Sequence, residues 1–289
     1  MVATYLDAIV ARHRAEAAAD RRDLAALVGQ AAAMPPTRGF AGALASRSAG
    51  GRLAVIAEVK RRSPSKGDLD PLLDPATVAA DYADGGASCL SVLTDGAHFG
   101  GSPDDLRQAR AAVALPVLRK DFTVCPADVA DARLMGADAV LLIVAALGER
   151  ELVELLGLAG ELAIDPLVEV HDERELDRAL GAGATLVGVN QRDLVTFEVD
   201  HARAERLAAR IPTGVVAVAE SGVGGPADAK RVADAGYDAV LVGESLVRAP
   251  DRRAAAAALA SVPSASAARQ EGASASAGRL DGASASAGR

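Results

Sequence analysis

Tryptophan is absent from this 289-residue chain, and aromatic residues of every kind make up only 2% of it. A core without large rings must be built from Ala, Val, Leu and Ile, the residues that fill a parallel sheet buried on both faces. Cysteine is nearly missing. Cys89 and Cys125 stand alone, in no metal-ligand spacing, which excludes a disulfide framework and a zinc module and predicts reduced thiols of a cytoplasmic protein. Positive charge is not in excess. The formal net charge of −8 argues against a general grip on nucleic acid. No apolar run reaches the roughly 20 residues of a membrane span, and residues 1–20 are too polar and charged to read as a signal peptide. The four histidines, His13, His98, His171 and His201, are scattered, so no metal ligand set is expected, although His171 lies close to a polar strand end.

What remains is a chain whose residues are half hydrophobic and whose patterning changes once. Tyr5, Leu6, Ile9 and Val10, then Leu24, Leu27 and Val28, recur near helical spacing and predict a helix over 4–29, stopped by Gly29. A Pro- and Gly-punctuated connection over 34–51 follows, so residues 1–50 read as a helical extension. From Leu53 short β-branched runs appear, at 55–59, 90–94, 116–119, 139–144, 167–170, 186–189, 215–219 and 239–242. Each is mostly apolar throughout, as strands buried on both faces are. Charged, Ala-rich segments at helical period lie between them, for example 104–113, 149–162 and 227–235, and the alternation implies a parallel sheet.

A related phrase leads into four of the runs: GGASCL at 85–90, GADAV at 136–140, GATLV at 183–187 and GYDAV at 236–240. In each, a glycine ends a helix where a left-handed residue is needed, and the chain turns directly into a strand. The phrases fall on the second, fourth, sixth and eighth runs. A period of two units over eight strands favours closure, so residues 51–262 are predicted to form a (β/α)8 barrel. The end of the chain differs in kind: GASASAGR occurs twice, at 272–279 and 282–289, and residues 263–289 are expected to be a disordered tail.

Barrel sites are built from strand ends and the loops after them. Here the apolar runs end in IAEVK (56–60), LRKD (118–121), LVEVH (167–171), VNQR (189–192), AESG (219–222) and VGES (242–245). Alternation puts Glu58 and Lys60 on one face of their strand. Buried carboxylates and ammonium groups are costly unless they pair, and interleaved Lys and Glu do so while gaining shifted pKa values suited to proton transfer. The last two strand ends carry small residues before helical segments, Ser221-Gly222 and Gly243-Glu244-Ser245, where backbone N–H groups can meet a phosphate. Arg192 can add charge to the same anion. The first loop, with Arg61, Arg62, Ser63, Pro64 and Lys66, reads as a lid that gathers anionic groups.

These residues resemble one family closely, the indole-3-glycerol-phosphate synthases. IAEVKRRSPSKG (56–67) is similar to that family's signature, and FGGSPDDL (99–106), PVLRKDF (116–122), LLIVAAL (141–147), LVEVH (167–171), GVNQRDL (188–194), AESGV (219–223) and VLVGESL (240–246) follow in order. The likeness spans residues 4 to 260. It implies a carboxy-lyase of tryptophan biosynthesis that closes an indole ring on a phosphorylated small molecule, with neither metal nor organic cofactor. Carried onto this chain, Lys120 is the general acid at the substrate carbonyl. Lys60 holds an anionic group or gives a proton in the dehydration. Glu169 stabilises the cationic intermediate or takes the last proton, and Glu58 orients the lysines. Asn190 and Ser221 contact hydroxyls and phosphate, with Ser63, Pro64, Arg192, Glu220, Gly222 and Gly243 beside them. Phe99 and Phe122 are placed to stack on the anthranilate ring. Glu244 departs from the small or hydroxylated residue expected after the glycine, and is expected to turn outward.

Read from the residues alone, other chemistries stay open. A Schiff-base aldolase would use Lys60 or Lys120 as nucleophile, a sugar-phosphate isomerase would use Glu169 as the enolising base, and a phosphoribosylanthranilate isomerase would need an acid/base pair of its own. A non-catalytic binding barrel would require the acid/base positions to be replaced. The chain is expected to act as a monomer or weak homo-oligomer.

Overall fold

The computed structural model describes residues 5–193 and 197–264. All eight apolar runs form strands: β1 (Ala54–Val59), β2 (Cys89–Leu93), β3 (Val117–Lys120), β4 (Ala139–Ile143), β5 (Asp165–Val170), β6 (Leu186–Asn190), β7 (Val216–Glu220) and β8 (Ala239–Val242). Each pairs in parallel with the next, and β8 returns to β1 with Ala54 opposite Ala239 and Ala57 opposite Val242, so the sheet is a closed barrel. Helices follow the strands in turn: α4 (Pro75–Asp84), α5 (Pro103–Ala112), α6 (Pro126–Met135), α7 (Glu149–Glu161), α8 (Glu173–Gly181), α9 (His201–Ala208), α10 (Pro226–Ala235) and α11 (Arg252–Ala260). They are preceded by α1 (Tyr5–Ala19), α2 (Leu24–Ala32) and α3 (Phe40–Ala49). No helix of the described residues is long and apolar enough to cross a membrane.

Strand alternation divides the buried side chains into two sets. Ala54, Ile56, Cys89, Leu118, Ala139, Leu141, Ile143, Leu167, Leu186, Val218, Ala239 and Leu241 pack against one another inside the barrel. Their chain neighbours, among them Val55, Ala57, Leu90, Val117, Val140, Val168, Val187, Ala217 and Val240, pack outward against the helices. Both faces of every strand are therefore buried, which is why the runs read as continuously apolar.

The four glycine phrases act as expected. Gly86, Gly136, Gly183 and Gly236 all have left-handed φ, between 82° and 109°, at the junctions from α4, α6, α8 and α10 into the even-numbered strands. The phrases also carry anchoring groups that patterning alone did not assign. Asp138 is fully buried; it accepts the backbone N–H groups of Arg38 and Val117 at 2.8 and 2.9 Å and pairs with Arg110 at 3.0 Å. Asp238, at the equivalent place, accepts Ser48 Oγ at 2.8 Å and Ala217 N at 2.9 Å. The two aspartates stitch the segment before β1 to the floor of the barrel.

That segment corrects two sequence expectations. The helix predicted over 4–29 is two helices, because Asp20 accepts the Arg22 N–H at 2.9 Å and Asp23 caps α2 by accepting Ala25 N at 3.0 Å, each offering the backbone an alternative to the helical bond. The punctuated connection contains α3, whose Phe40 and Leu44, spaced by one turn, are fully buried and plug the interior of the barrel from below. Two large apolar residues among small ones gave too weak a periodic signal to read. At the other end, Pro263 bridges Arg52 and Ser264 N donates to Gly51 O at 3.1 Å, so these two residues are tied to the barrel and are not part of a loose tail. The remainder of the expected tail, residues 265–289, lies outside the described residues, as do the helix start at Thr4 and the Leu194 end of one family motif.

Asp138→Ala removes a buried carboxylate with three partners, leaving two amide groups without theirs and Arg110 with only its bond to the Gly136 carbonyl. The expected loss is about 3 kcal/mol of unfolding free energy, read as a lowered urea midpoint; an unchanged midpoint would show that the anchoring contributes nothing.

Candidate active site

The parity that fills the interior with Ile56, Leu118, Leu167 and Val218 continues one step further along each strand. Two residues beyond them lie Glu58, Lys120, Glu169 and Glu220, which must point the same way. Asn190 follows Leu186 by four residues and shares its face, and Lys60 follows Glu58. The inward groups thus change from hydrocarbon to charge at the C-terminal ends of the strands, and all six line one cavity of about 520 Å³, a size suited to a small ligand.

Lys120 is the centre of the floor. Its Nζ lies 2.9 Å from Glu169 Oε2 and 3.0 Å from Glu220 Oε2. Burial alone would lower the lysine pKa, but Glu169, Glu220 and Glu58 outweigh it and hold the ammonium protonated far above its ordinary range. Glu169 is divided between its two oxygens: Oε2 faces Lys120, while Oε1 accepts Asn190 Nδ2 at 3.1 Å. Burial would raise its pKa; the charges of Lys120 and then His171 override this and keep it ionised. Glu220 goes the other way. Burial raises it, and the attraction of Lys120 does not offset that and the repulsion of Glu169, so Glu220 keeps its proton well above the usual carboxylate range. Space for it comes from Gly188, where a Cβ would lie 3.1 Å from the Glu220 carboxyl carbon and 3.3 Å from Leu167 Cδ1.

On the opposite wall Lys60 Nζ is hydrogen-bonded to Glu58 Oε1, and Ser91 Oγ donates to Glu58 Oε2 at 3.4 Å. Gly243 makes room for this pair, since a Cβ there would stand 2.9 Å from Lys60 Nζ and closer still to Glu58. The glycine read from sequence as a phosphate contact therefore also positions the lysine. After β7, Ser221 and Gly222 both have left-handed φ, 62° and 71°. The serine conformation costs about 1–3 kcal/mol. At Gly222 a side chain is excluded twice over, because a Cβ would also meet Val199 Cγ1 at 2.6 Å. Consecutive residues of this kind form concave backbone turns that suit anions. Both line the cavity, together with Gly224 and with Glu244 and Ser245, which open the single helical turn Glu244–Val247.

The first loop forms a two-stranded hairpin, Arg62–Ser63 with Gly67–Asp68, and Ser63, Pro64 and Ser65 close one side of the cavity. Glu244 keeps a side-chain exposure of 35% and stands 4.0 Å from Lys66 Nζ, so its charge is directed to the hairpin. Arg192 lines the cavity but already donates to Phe197 O at 2.9 Å. Phe99 and Phe122 meet with ring centroids 6.2 Å apart on the wall opposite the glycine turns. The acid/base residues and the substrate contacts named from sequence all line the same cavity, but the basic residues of the first loop, Arg61, Arg62 and Lys66, do not, and Arg61 is instead paired with Asp105 and donates to Leu73 O at 3.1 Å.

Several contributors were not legible. Tyr5, Leu6 and Ile9 of α1 form part of the wall, as do Phe197 and Arg248. The helix is fastened there by Arg12, which is hydrogen-bonded to Asp95, and by His13, whose Nε2 lies 3.2 Å from Asp95 Oδ2 and 3.7 Å from Asp121 Oδ1. His13, Asp95 and Asp121 are the one group of three such side chains among the described residues whose ligand atoms come within 4.8 Å of one another. Both carboxylates are already engaged by cations and N–H or O–H donors, including Arg12, Arg119, Thr94 and the His98 amide, so the cluster fits an anchor for α1 better than a metal site. The cue that sequence offered was Tyr5-Leu6 with Ile9 on one helical face, which reads equally as packing.

Comparison with known proteins agrees with this architecture. Residues 6–259 match the family model described as indole-3-glycerol phosphate synthase. An indole-3-glycerol phosphate synthase of Mycobacteroides abscessus is 52% identical over 258 residues, covering 89% of this chain and 93% of that protein. Indole-3-glycerol phosphate synthase 2 of Streptomyces coelicolor is 55% identical over 230 residues, covering 80% and 88%. Among solved structures, a thiamine phosphate pyrophosphorylase from Pyrococcus furiosus superposes with a TM-score of 0.55 at 18% identity, over 74% of this chain and 95% of that one, a likeness of fold alone.

The inverted ionisation of Glu220 has a consequence for stability. An acid whose folded pKa is raised stabilises the fold fully only below its unfolded pKa of about 4.3, and that contribution is lost as pH rises toward the folded value. Glu220→Gln lacks this loss. The variant is expected to gain in Tm relative to the parent as pH rises from 5 to 8; a constant difference across that range would show that Glu220 is ionised in the folded protein.

Proposed function

The chain belongs to the indole-3-glycerol phosphate synthase family and carries out the decarboxylating ring closure of 1-(2-carboxyphenylamino)-1-deoxyribulose 5-phosphate to indole-3-glycerol phosphate, CO₂ and water, and we propose that Lys120, Glu169 and the Glu58–Lys60 pair divide the proton transfers of that reaction. The observation that carries this reading is the Lys120 ammonium, buried between Glu169 and Glu220 and facing the same cavity as Lys60.

An ammonium held protonated enters the reaction as an acid. Lys120 gives its proton to the ketone oxygen as the ring carbon attacks the carbonyl carbon, so the new C–C bond and the O–H bond form together. The resulting cation is stabilised by the carboxylates of Glu169 and Glu58. Loss of CO₂ returns the electron pair to the ring. Lys60, oriented by Glu58, then protonates the departing hydroxyl, which leaves as water, and Glu169 takes the last ring proton to restore aromaticity. Glu169 is close enough to Lys120, 2.9 Å, to hand that proton back for the next cycle. Asn190 fixes Glu169 by its other oxygen.

The substrate's phosphate is assigned to the turn at Ser221-Gly222 and to Gly243, with Arg192 and Arg248 adding charge, and the ring to the wall made by Phe99 and Phe122. The hairpin with Ser63 and Pro64 closes over the ligand, and Glu244 acts through Lys66. The pairing of Lys120 argues against the Schiff-base alternative, because a nucleophilic lysine needs a neutral amine, and here its neighbours hold the charged form. The thiols of Cys89 and Cys125 are both free, which supports a reducing cytoplasmic setting.

Incubation with the carboxyphenylamino ribulose phosphate is expected to generate indole fluorescence in the parent protein, and Lys120→Ala is expected to lower kcat by about 10² to 10⁴ or more. Near-parental turnover in that variant would remove Lys120 from the role of acid.

A further inference from the structure

Glu169 must present one carboxylate oxygen to the ligand and to Lys120 while remaining charged among Glu58 and Glu220, and the group behind it that meets this need is His171. The imidazole follows β5, stands outside the cavity lining and is largely buried, with a side-chain exposure of 12%. It is fixed from its far side. Its Nδ1 lies 3.1 Å from Glu175 Oε2, and the same oxygen accepts the His171 backbone N–H at 2.7 Å. Glu175 sits in the first turn of α8, where its own N–H is held by the capping carboxylate of Asp172 at 2.7 Å. With Nδ1 committed, the ring has one orientation, and it directs Nε2 at Glu169 Oε1 from 3.5 Å. That nitrogen is buried and has no hydrogen-bond partner among the described residues.

A buried imidazole edge with no partner costs stability, and it persists here aimed at the one carboxylate that the reaction needs ionised. We propose that His171, clamped by Glu175, is a positioning residue that holds Glu169 from behind by its Oε1 edge and so keeps Oε2 turned to Lys120 and the ligand. The proposal rests on Glu169 being the proton acceptor. The charged groups around the ring fit it: Glu169 from the same strand, Glu175 from α8 and, further off, Glu220 from β7 face His171, and Lys120 of β3 lies across Glu169. Burial opposes a charge on the ring, but these carboxylates outweigh it and favour the imidazolium. Lys120, Glu169, His171 and Glu175 then form a line of alternating charge from the cavity floor to the start of α8. The charge on His171 keeps Glu169 ionised to lower pH, and the carboxylate pKa rises when that charge is removed.

The test compares His171→Gln, Glu175→Gln, the double variant and Glu169→Gln by kcat, KM and the pH dependence of kcat, with Tm as control. His171→Gln keeps an N–H donor but no titratable charge. It is expected to lower kcat about tenfold with KM within twofold of the parent, and to move the acidic limb of the profile to higher pH, because Glu169 loses the cation that keeps it ionised. Glu175→Gln should show a weaker form of the same shift, and the double variant should be no worse than His171→Gln, as two residues acting through one contact require. In the variant His171→Ala, added imidazole should restore part of kcat. An unmoved acidic limb, or losses that follow a fall in Tm or a rise in KM, would overturn the proposal and leave His171 a packing residue. If Glu169→Gln itself keeps parental turnover, the failure lies in the assignment of Glu169 as base, and the proposal falls with it.

Discussion

Placing an ammonium group in a hydrocarbon barrel is the constraint on which the site depends. Lys120 has Leu118 beneath it and the interior of the barrel below that, an environment that would expel its charge if nothing balanced it. Two carboxyl groups do so, and their inequality matters as much as their presence. Two ionised glutamates would over-compensate one lysine, leaving a net negative charge buried. With Glu169 ionised and Glu220 neutral, the trio is balanced, and acid and base stand in one hydrogen-bonded row. Asn190 and the histidine behind Glu169 bias the choice toward the first glutamate, while the apolar surroundings of Glu220, wedged against Gly188, bias the second.

Much of this was legible in the sequence, for a definite reason. A strand buried on both faces is apolar at every position, so a charge at its end stands out, and a fixed alternation assigns the charge to one face. Glu58, Lys60, Lys120 and Glu169 were readable in that way. The turn at Ser221-Gly222 was readable because small residues stand there directly before a helical segment, where backbone N–H groups are free to meet an anion.

What escaped reading comes from proximity between distant segments. Nothing local in Phe40 or Leu44 says that their helix seals a barrel floor, and nothing in Asp138 or Asp238 says that they receive N–H groups from an adjacent strand and from the extension. The role of Gly243 in admitting the Glu58–Lys60 pair depends on strands at opposite ends of the chain becoming neighbours at closure. Nothing local in Arg12 or His13 says that they fasten α1 to Asp95 and Asp121, which come from loops after two different strands.

The division of side chains between the two faces of the barrel wall works like a reading frame. Arg119 and Lys120 are adjacent and carry the same charge, yet one is bound on the outer side to Thr94, Asp121 and the Asp128 carbonyl, and the other is enclosed on the inner side. Their chemical difference is set by position in the count, not by residue type. Inserting or deleting one residue within such a strand would exchange inner for outer along its remainder, trading a reacting group for a structural one and hydrocarbon for polar contacts in the same stroke. Evolution of new chemistry on this scaffold is thereby confined to substitution in the strands, while changes of length are left to the loops.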